Sequence, residues 1–406
     1  MAASQVISQA GFSMALPFLP LYVQTLGVHG VQAAALWAGV LATAAGLTMG
    51  FMAPIWGNLA DRYGRKAMVV RACVGGAFIV GAMGLVQNPQ QLLVLRMVQG
   101  AVTGTVAAAA ALVSGVVPEK RLGSAMGLIQ TSVFVGSAVG PLVGGLIADT
   151  LGFRWTFACT GVLLLLAGVL VIFLAHENRA ALRPRSSTRA PGVKAASNGL
   201  LGGYVTFALA ALVAVNFLDM FAASVVSPIL PLFIADLNGH SGGASGSASV
   251  TGLVLGSVAV SASISALVFG RLSDRLGSRR VIIMCAVGAG VFSGLQGLAT
   301  TVLAVGLLRV CMGAFIGGTI PSANALLGQL TPPDRRGAAF GLSSAATAFG
   351  FAFGPLVGAL LASRFNLRLP FSVTAGLLLL EALWVWRVVP ANVGRHEEAQ
   401  PAASVR

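Results

Sequence analysis

The chain has 406 residues, of which 56% are hydrophobic and only 9% are charged, and its mean hydropathy is +0.88. Soluble globular domains carry about 25% charged residues, so this composition excludes a soluble protein of this size and indicates one embedded in a bilayer. The 52 glycines agree with this, since helices that pack within a membrane favour small residues at their contacts.

The net charge of +14 could indicate nucleic-acid binding, but the positions of the basic residues favour a role in topology. Of the 25 Lys and Arg residues, 20 lie in segments that share one side of the membrane once spans are assigned. An excess of Lys and Arg marks the cytoplasmic side. The sequence therefore predicts a multi-pass protein of the inner (plasma) membrane with both termini in the cytoplasm, and no nucleic-acid partner.

Twelve apolar runs separated by turn signals predict twelve transmembrane helices. In the first half the runs cover residues 4–26, 33–58, 68–87, 90–114, 122–149 and 153–175. In the second half they cover residues 202–235, 250–271, 281–299, 302–328, 338–362 and 369–389. The predicted domains are an N-terminal bundle at 1–175, a cytoplasmic linker at 176–199, a C-terminal bundle at 200–390 and a cytoplasmic tail at 391–406.

The two halves of the sequence repeat each other. The charged stretch "GNLADRYGRK" at 57–66 returns as "GRLSDRLGSRR" at 270–280, and "GSAVGPLVGG" at 136–145 returns as "GFAFGPLVGA" at 350–359. Because each half has an even number of spans, both halves enter the membrane from the same side. The sequence thus predicts an all-α membrane protein of two six-helix bundles related by pseudo-two-fold symmetry.

Three motifs closely resemble those of the major facilitator superfamily: the doubled "GNLADRYGRK", "LRMVQG" at 95–100, and "GSAVGPLVGG", which is similar to the motif of its twelve-helix drug:proton antiporters. The resemblance implies a monomeric secondary transporter that exports hydrophobic drugs or a secreted metabolite in exchange for protons. A symporter or uniporter of the same fold is the alternative, and a non-transporting membrane sensor is an alternative of another class. Without a nucleotide-binding loop, metal pair or nucleophile motif, we expect neither an enzyme nor a cofactor.

The charged turn after the second span is the predicted gate. Gly64 permits the backbone angles of a tight turn, and the basic residues keep the turn in the cytoplasm. The resemblance implies that Asp61 latches against the start of a helix in the other half, near Gly337, where a carboxylate gains about 0.3–1 kcal/mol. A purely topological turn is the alternative. The predicted gating residues are Asp61, Arg62, Gly64, Arg65, Lys66, Asp274 and Arg275.

Arg96 lies within the fourth apolar run, and an intramembrane charge indicates function by default. The resemblance implies that Arg96 takes part in proton coupling, with Gln99 and Gly100 completing its motif. The alternative is a structural arginine paired with backbone carbonyls. That structural reading is favoured for Arg309 in the second half, since Met312 stands where the first half has the glutamine.

The glycines of "GSAVGPLVGG" predict a close helix contact. Gly136, Gly140 and Gly144 recur every four residues and share one helical face, and Pro141 removes a backbone hydrogen bond and can bend the helix. The resemblance implies that this motif, which ends at Gly145, seals the antiporter against leakage. Ordinary glycine-mediated packing is the alternative, because 350–359 keeps the same glycines.

Two further acidic residues fall within apolar runs. Asp219 lies near the middle of the seventh run, in the cavity-forming region, and we predict that it is a protonation site used in coupling. The alternative is a neutral Asp that hydrogen-bonds to a neighbouring helix. Glu381 lies about two turns from the end of the twelfth run and is expected to snorkel or to pair structurally.

An apolar cavity with aromatic and methionine walls would suit hydrophobic, structurally varied ligands. The alternative is that these residues only pack between helices, as such residues in membrane helices more often do. The predicted cavity residues are Phe18, Trp37, Gln130, Phe134, Asn216 and Met220, with Phe12, Met126 and Phe221 as further contributors.

Overall fold

The computed structural model describes residues 1–116, 119–174, 200–240, 246–331 and 336–389. The predicted linker at 176–199 and tail at 391–406 therefore lie outside the described residues. Those described form fifteen α-helices and one 3₁₀ turn at Leu16–Phe18. The helices are α1 (Ala2–Ala15), α2 (Leu19–Thr25), α3 (Val31–Tyr63), α4 (Arg65–Met83), α5 (Pro89–Val102), α6 (Thr105–Val116), α7 (Glu119–Thr150), α8 (Phe153–Leu174), α9 (Leu200–Val226), α10 (Leu230–His240), α11 (Ser247–Leu276), α12 (Ser278–Leu298), α13 (Val302–Leu330), α14 (Arg336–Arg364) and α15 (Leu369–Val388).

These helices make twelve membrane crossings, as predicted. Eleven stretches of the described residues are long and apolar enough to span a bilayer, and the remaining crossing, the fourth, is divided between α5 and α6. The first crossing joins α1 to α2, and the seventh joins α9 to α10. The other nine are single helices.

The three divided crossings have local causes that a hydropathy profile does not reveal. Pro17 lies in the 3₁₀ turn between α1 and α2, and Pro228 lies in the turn between α9 and α10, where proline cannot donate a helical hydrogen bond. In the fourth crossing Gly104 has a φ of +129°, a conformation that only glycine adopts readily. The predicted continuous helices at 4–26, 90–114 and 202–235 are therefore each two helices.

The repeated charged turns have the same backbone geometry. Gly64 (φ 101°, ψ 146°) ends α3 and starts α4, and Gly277 (φ 88°, ψ 139°) ends α11 and starts α12. Both conformations favour glycine, so each copy connects two long helices through a single residue. We call the end of the molecule with these two turns the basic end and the other end the opposite end.

The helices form two bundles, α1–α8 and α9–α15, in which corresponding pairs pack together. In the first bundle α1 packs on α7 and α4 on α8, and in the second α9 packs on α14 and α12 on α15. The bundles meet along two long helix pairs, α3 with α14 and α7 with α11. These two pairs surround the central region in which the candidate site lies.

Candidate functional site

The α3–α14 pair is closed by small residues near the opposite end. A Cβ added at Gly39 would collide with Ala359 and would lie 2.7 Å from the carbonyl oxygen of Pro355, and one added at Gly46 would lie 3.0 Å from the Cα of Ala352. The two helices run antiparallel, and both contacts keep one register. Their backbones approach this closely only because glycine stands at each crossing point. We call this contact the α3–α14 seam.

The α7–α11 pair is closed in the same way. A Cβ added at Gly145 would lie 2.9 Å from the Cα of Ser249, one at Gly252 would collide with the carbonyl oxygen of Pro141, and one at Gly256 would lie 2.7 Å from the carbonyl oxygen of Ala138. We call this contact the α7–α11 seam. Pro141 in this seam and Pro355 in the α3–α14 seam are equivalent positions of the repeat. The carbonyl oxygen of each contacts a glycine of the other bundle.

Both seams stop halfway along their helices. The register of the α3–α14 seam would place Gly50 opposite Ala348 and Gly57 opposite Gly341, yet a Cβ added at any of these three glycines would meet nothing within 4 Å. The side chain of Phe51 is 77% exposed. The helices therefore separate towards the basic end.

The same separation is present in the other pair, since a Cβ added at Gly127 of α7 or at Gly270 of α11 would also meet nothing within 4 Å. Among the residues that the structure describes, the two bundles are therefore in contact at the opposite end and parted at the basic end. We call the space between the parted halves of α3, α14, α7 and α11 the basic-end groove.

An apolar cluster and one carboxylate complete the seal at the opposite end. The cluster unites residues of both bundles, including Phe18 and Ala34 of the first with Phe233 and Phe371 of the second. Beside it, Asp149 at the end of α7 accepts hydrogen bonds from backbone amides at the start of α11. An acceptor at a helix N-terminus satisfies amides that have no partner within the helix.

The glycines of the span-five motif divide between two partners. Gly136, Gly140 and Gly144 face α1, where added Cβ atoms would lie 2.7 Å from the carbonyl oxygen of Val6, 2.5 Å from that of Ala10 and 2.7 Å from the Cγ of Met14. Gly145 and Pro141 instead face α11. One face of the motif thus holds its own bundle together, and the adjacent face closes the bundle contact.

The second copy of the motif repeats this division. Added Cβ atoms at Gly350 and Gly354 would each lie 2.7 Å from a carbonyl oxygen of α9, while Pro355 faces α3. The glycine packing is therefore common to both halves and does not by itself mark an exporter.

Arg96 is buried, and its Nη1 donates to Oε1 of Gln99 one turn along α5. Arg309 is also buried, and its Nη1 lies 3.3 Å from Oε1 of Gln296 on α12 and 3.8 Å from the sulfur of Met312. The second arginine thus obtains from a neighbouring helix the amide that its own helix lacks. Gln296 was not among the predicted site residues, although a glutamine within an apolar run is a signal that could have identified it.

Asp219 and Glu381 are both buried, with 4% and 0% of their surfaces exposed. Within the described part of the chain, Oδ1 of Asp219 and both carboxyl oxygens of Glu381 have no hydrogen-bond partner. Glu381 therefore neither snorkels nor pairs, contrary to the expectation, because its neighbours Leu378 and Val385 anchor this face of α15 in the bundle core.

The predicted cavity residues occupy different surroundings. Asn216 is buried and donates to Oγ of Ser343 on α14 at 2.9 Å, and Met220 on the next turn packs beside Gly350. Phe18 is 1% exposed and belongs to the opposite-end seal. The remaining side chains are placed as follows: Trp37 and Phe12 pack on the core of the first bundle, Phe134 and Phe221 are half-buried, Gln130 is exposed, and Met126 lies outside the described side chains.

The charged turns anchor neighbouring helices at the basic end. Nζ of Lys66 donates to the carbonyl oxygen of Ile172 at 2.7 Å, and Nη2 of Arg279 donates to that of Trp386 at 2.5 Å. These are repeat-equivalent contacts in which a cation meets the last turn of α8 or α15, where the helix dipole favours positive charge.

The other predicted basic gating residues lie at the same turns. The guanidinium of Arg62 lies over the ring of Tyr63, Arg65 begins α4, and Arg275 is exposed.

The structure does not describe the side chains of Asp61 and Asp274 or the surroundings of Gly337. Their backbones belong to the last turns of α3 and α11 and to the first turn of α14. The predicted latch between Asp61 and the start of α14 stays a prediction.

Comparisons with known proteins agree with this geometry. The model of the Major Facilitator Superfamily matches residues 1–216 and 212–405. The chain is 33% identical over 383 residues to the multidrug resistance protein MdtG of Serratia proteamaculans (strain 568), covering 94% of this chain and 90% of that protein. It is 32% identical over 380 residues to MdtG of Escherichia coli (strain K12 / DH10B), covering 94% and 91%.

Solved structures share the fold at low sequence identity. The D-xylose-proton symporter superposes with a TM-score of 0.75 at 17% identity, covering 97% of this chain and 98% of that chain. A bacterial homologue of the human lysosomal transporter Spinster, in an inward-facing and occupied conformation, gives a TM-score of 0.73 at 15% identity, with 95% of each chain covered. With twelve crossings in two matching bundles and a family match along nearly its whole length, this protein belongs to the Major Facilitator Superfamily.

Proposed function

We propose that the protein is a secondary active transporter that exports hydrophobic drugs or a secreted metabolite in exchange for protons, by alternating access through the basic-end groove. The observation that carries the proposal is the pair of seams. In each seam the two helices are in contact at the opposite end and parted at the basic end. The MdtG relatives, which are multidrug resistance proteins, support drugs as the class of solute.

The groove opens to the cytoplasm if the basic end is the cytoplasmic end. That orientation rests on the excess of Lys and Arg in the segments of the basic end, and it would place both termini inside the cell. The test is a cysteine-free protein with one cysteine at residue 240 or at residue 190. A membrane-impermeant reagent applied from outside should modify residue 240 and spare residue 190, and the reverse pattern would contradict the orientation.

The roles of individual residues follow from where they lie. Asn216 and Met220 belong to the face of α9 next to α14, so we assign them to substrate contact together with Gln130 and Phe134 of α7. Asp219 is assigned to proton binding because it is an acidic residue deep within a span with an unpartnered oxygen. Arg96 is assigned a supporting role through its bond to Gln99.

Transport by purified protein in liposomes tests the exchange. A drug gradient should form only when an opposing proton gradient is imposed, and drug movement should dissipate that gradient. The informative variant is Asp219→Asn, which should lose uphill transport and retain drug–drug exchange. Accumulation of solute in the same direction as proton flow would instead show a symporter, and transport that ignores the proton gradient would show a uniporter.

A further inference from the structure

A layer of polar side chains divides the core of the C-terminal bundle. Towards the basic end lies one apolar cluster that includes Val215, Ile282 and Val385. Towards the opposite end lies another, with Ala222, Ala289, Met312 and Leu378. On α9, α12 and α15 the residues between these clusters, about one turn from each, are Asp219, Cys285 and Glu381.

The fourth helix that contributes to this layer is α13. A Cβ added at Gly318 would lie 2.7 Å from the sulfur of Cys285. Ser322, one turn further along the same face of α13, is 1% exposed, and within the described residues its hydroxyl has no partner. Four helices therefore contribute polar groups to one buried layer, in which several oxygens have no hydrogen-bond partner among the described residues.

Helix register places the two carboxyl groups in the same layer of two adjoining helices. The antiparallel helices α9 and α15 are joined by the hydroxyl of Thr374, which donates to the carbonyl oxygen of Ala222 at 3.3 Å. Asp219 lies one turn from Ala222 towards the basic end, and Glu381 lies two turns from Thr374 in the same direction. Their backbones are therefore offset by about 6 Å along the bundle axis, on two helices that pack directly against each other.

No described cation neutralises this pair by a hydrogen bond. On the surrounding helices the other titratable or charged groups whose side chains the structure describes are Cys285, Arg279 and Arg280 of α12, Arg309 and Cys311 of α13, Arg364 of α14 and Arg387 of α15. Arg309 bonds to Gln296, and Arg279 bonds at the basic end. Two carboxylates buried on adjoining helices cannot both ionise in an apolar core without a large cost.

We propose that Asp219 and Glu381 form one site that holds a single proton between them, so that Glu381 is the second half of the proton carrier. This deepens the proposed exchange of drug for protons and rests on it for its use in transport. The site lies behind the groove wall, because Asn216 and Met220 on the neighbouring face of α9 are those that meet α14.

The position has a mechanistic consequence. A proton bound behind the wall does not compete with the drug for the same carboxylate, and acts through the packing of α9 against α15. Loss of the proton leaves two repelling charges between these helices, which favours their separation and the entry of water. Drug binding affinity at fixed conformation should therefore be insensitive to Asp219→Asn and Glu381→Gln.

Infrared spectroscopy of the protonated carboxyl band counts the protons directly, without any transport. With one shared proton, wild type, Asp219→Asn and Glu381→Gln should each show one band of equal area at neutral pH, and the double variant should show none. A wild-type area equal to the sum of the two single variants would overturn the shared site. So would a band that survives in the double variant. Asp236→Asn, an exposed acid on α10, is the control and should leave the band unchanged.

Proton-driven drug accumulation is the second readout. Glu381→Gln should lower it at least tenfold while drug–drug exchange persists, and the double variant should be no worse than either single variant, because residues that act as one unit are not additive. Glu381→Asp keeps an ionisable group and should recover part of the activity with a pH midpoint displaced by about one unit. Wild-type accumulation by Glu381→Gln would refute the proposal. If the bands behave as expected but wild type moves drug without protons, the exchange fails and the proton site stands.

Discussion

Asp149 of the N-terminal bundle caps α11 of the C-terminal bundle: its Oδ2 accepts from the backbone amide of Ser249 at 2.6 Å, and its Oδ1 accepts from that of Ala248 at 3.3 Å. These two hydrogen bonds join the N-terminal bundle to the C-terminal bundle, and they exist only while the opposite ends of the bundles touch. They therefore contribute to the free-energy difference between the state described here and the state in which the opposite end is open.

Removal of this cap should shift the conformational equilibrium. We expect Asp149→Ala to favour the state open at the opposite end by about 1 kcal/mol, the usual value of an N-cap, which is roughly a fivefold change in population. The measurement is the rate at which an impermeant thiol reagent modifies a cysteine introduced at Ala34, which is buried in the opposite-end cluster. Ser363→Ala is the matched control, since Ser363 is the repeat equivalent of Asp149 and its hydroxyl donates to the carbonyl oxygen of Leu360 in its own helix. Equal labelling of the two variants would show that the cap has no part in gating.

The α7–α11 seam should open when its central glycine gains a methyl group. Gly252→Ala places a Cβ against the carbonyl of Pro141, and overpacking of this kind costs about 1–3 kcal/mol. We expect a population shift of about fivefold to 150-fold, visible as a longer distance between spin labels at the opposite end of the two bundles.

Gly270→Ala on the same helix is the control, because a Cβ there would meet nothing within 4 Å. Both variants gain the same helix propensity, and that gain is present in both conformations. Only the contact differs, so an identical distance distribution in the two variants would contradict the role of the seam.

The glycine contact between α7 and α1 should be required for stability and for a tight membrane. Gly140→Leu would drive a side chain into Ser13 and the carbonyl of Ala10. We expect a lower thermal unfolding temperature together with faster passive proton entry into liposomes. Gly127→Leu, which has free space around it, should change neither quantity. If Gly140→Leu keeps wild-type efflux and proton tightness, the motif is not a seal.

The predicted latch at Asp61 gives a test that depends on charge. A carboxylate near a helix N-terminus is worth about 0.3–1 kcal/mol, so Asp61→Asn should lower transport about two- to fivefold and leave the amount of protein in the membrane unchanged. Labelling of the basic-end groove should increase, because the latch would act when that groove is closed. Asp61→Glu should restore both. Wild-type transport by Asp61→Asn would reduce Asp61 to a loop residue.

The sequence was sufficient for the fold because its signals are local and repeated. Apolar runs of spanning length predicted all twelve crossings, and Gly64 in the repeated charged stretch predicted the first turn; that Gly277 gives the second turn the same geometry was found only in the structure. The break at Gly104 was missed because one glycine in an apolar run is indistinguishable from a packing glycine until its φ is known. The break at Pro228 carried a stronger signal, since Pro231 follows it closely.

The site was predicted less completely because its residues act through partners on distant helices. The depth of Asp219 followed from its place in the seventh run, but whether it faces the groove or the bundle core depends on rotation about the helix axis. The spacing of Gly136, Gly140 and Gly144 predicted a shared face without identifying α1 as the helix it meets. The cap by Asp149 depends on an amide about a hundred residues away, and only the tertiary structure brings the two together.

The two seams determine how the equilibrium between the state open at the basic end and the state open at the opposite end can be adjusted. Each bundle supplies one long helix to each seam, so a rigid rotation of the bundles must release both seams in the same movement. Substitutions in separate seams are far enough apart for their effects to add. The bias between the two open states is thus divided between two distant positions that need not contact the solute. Paired small changes, one at Gly46 and one at Gly256, could therefore slow or speed the cycle in graded steps without altering what is carried.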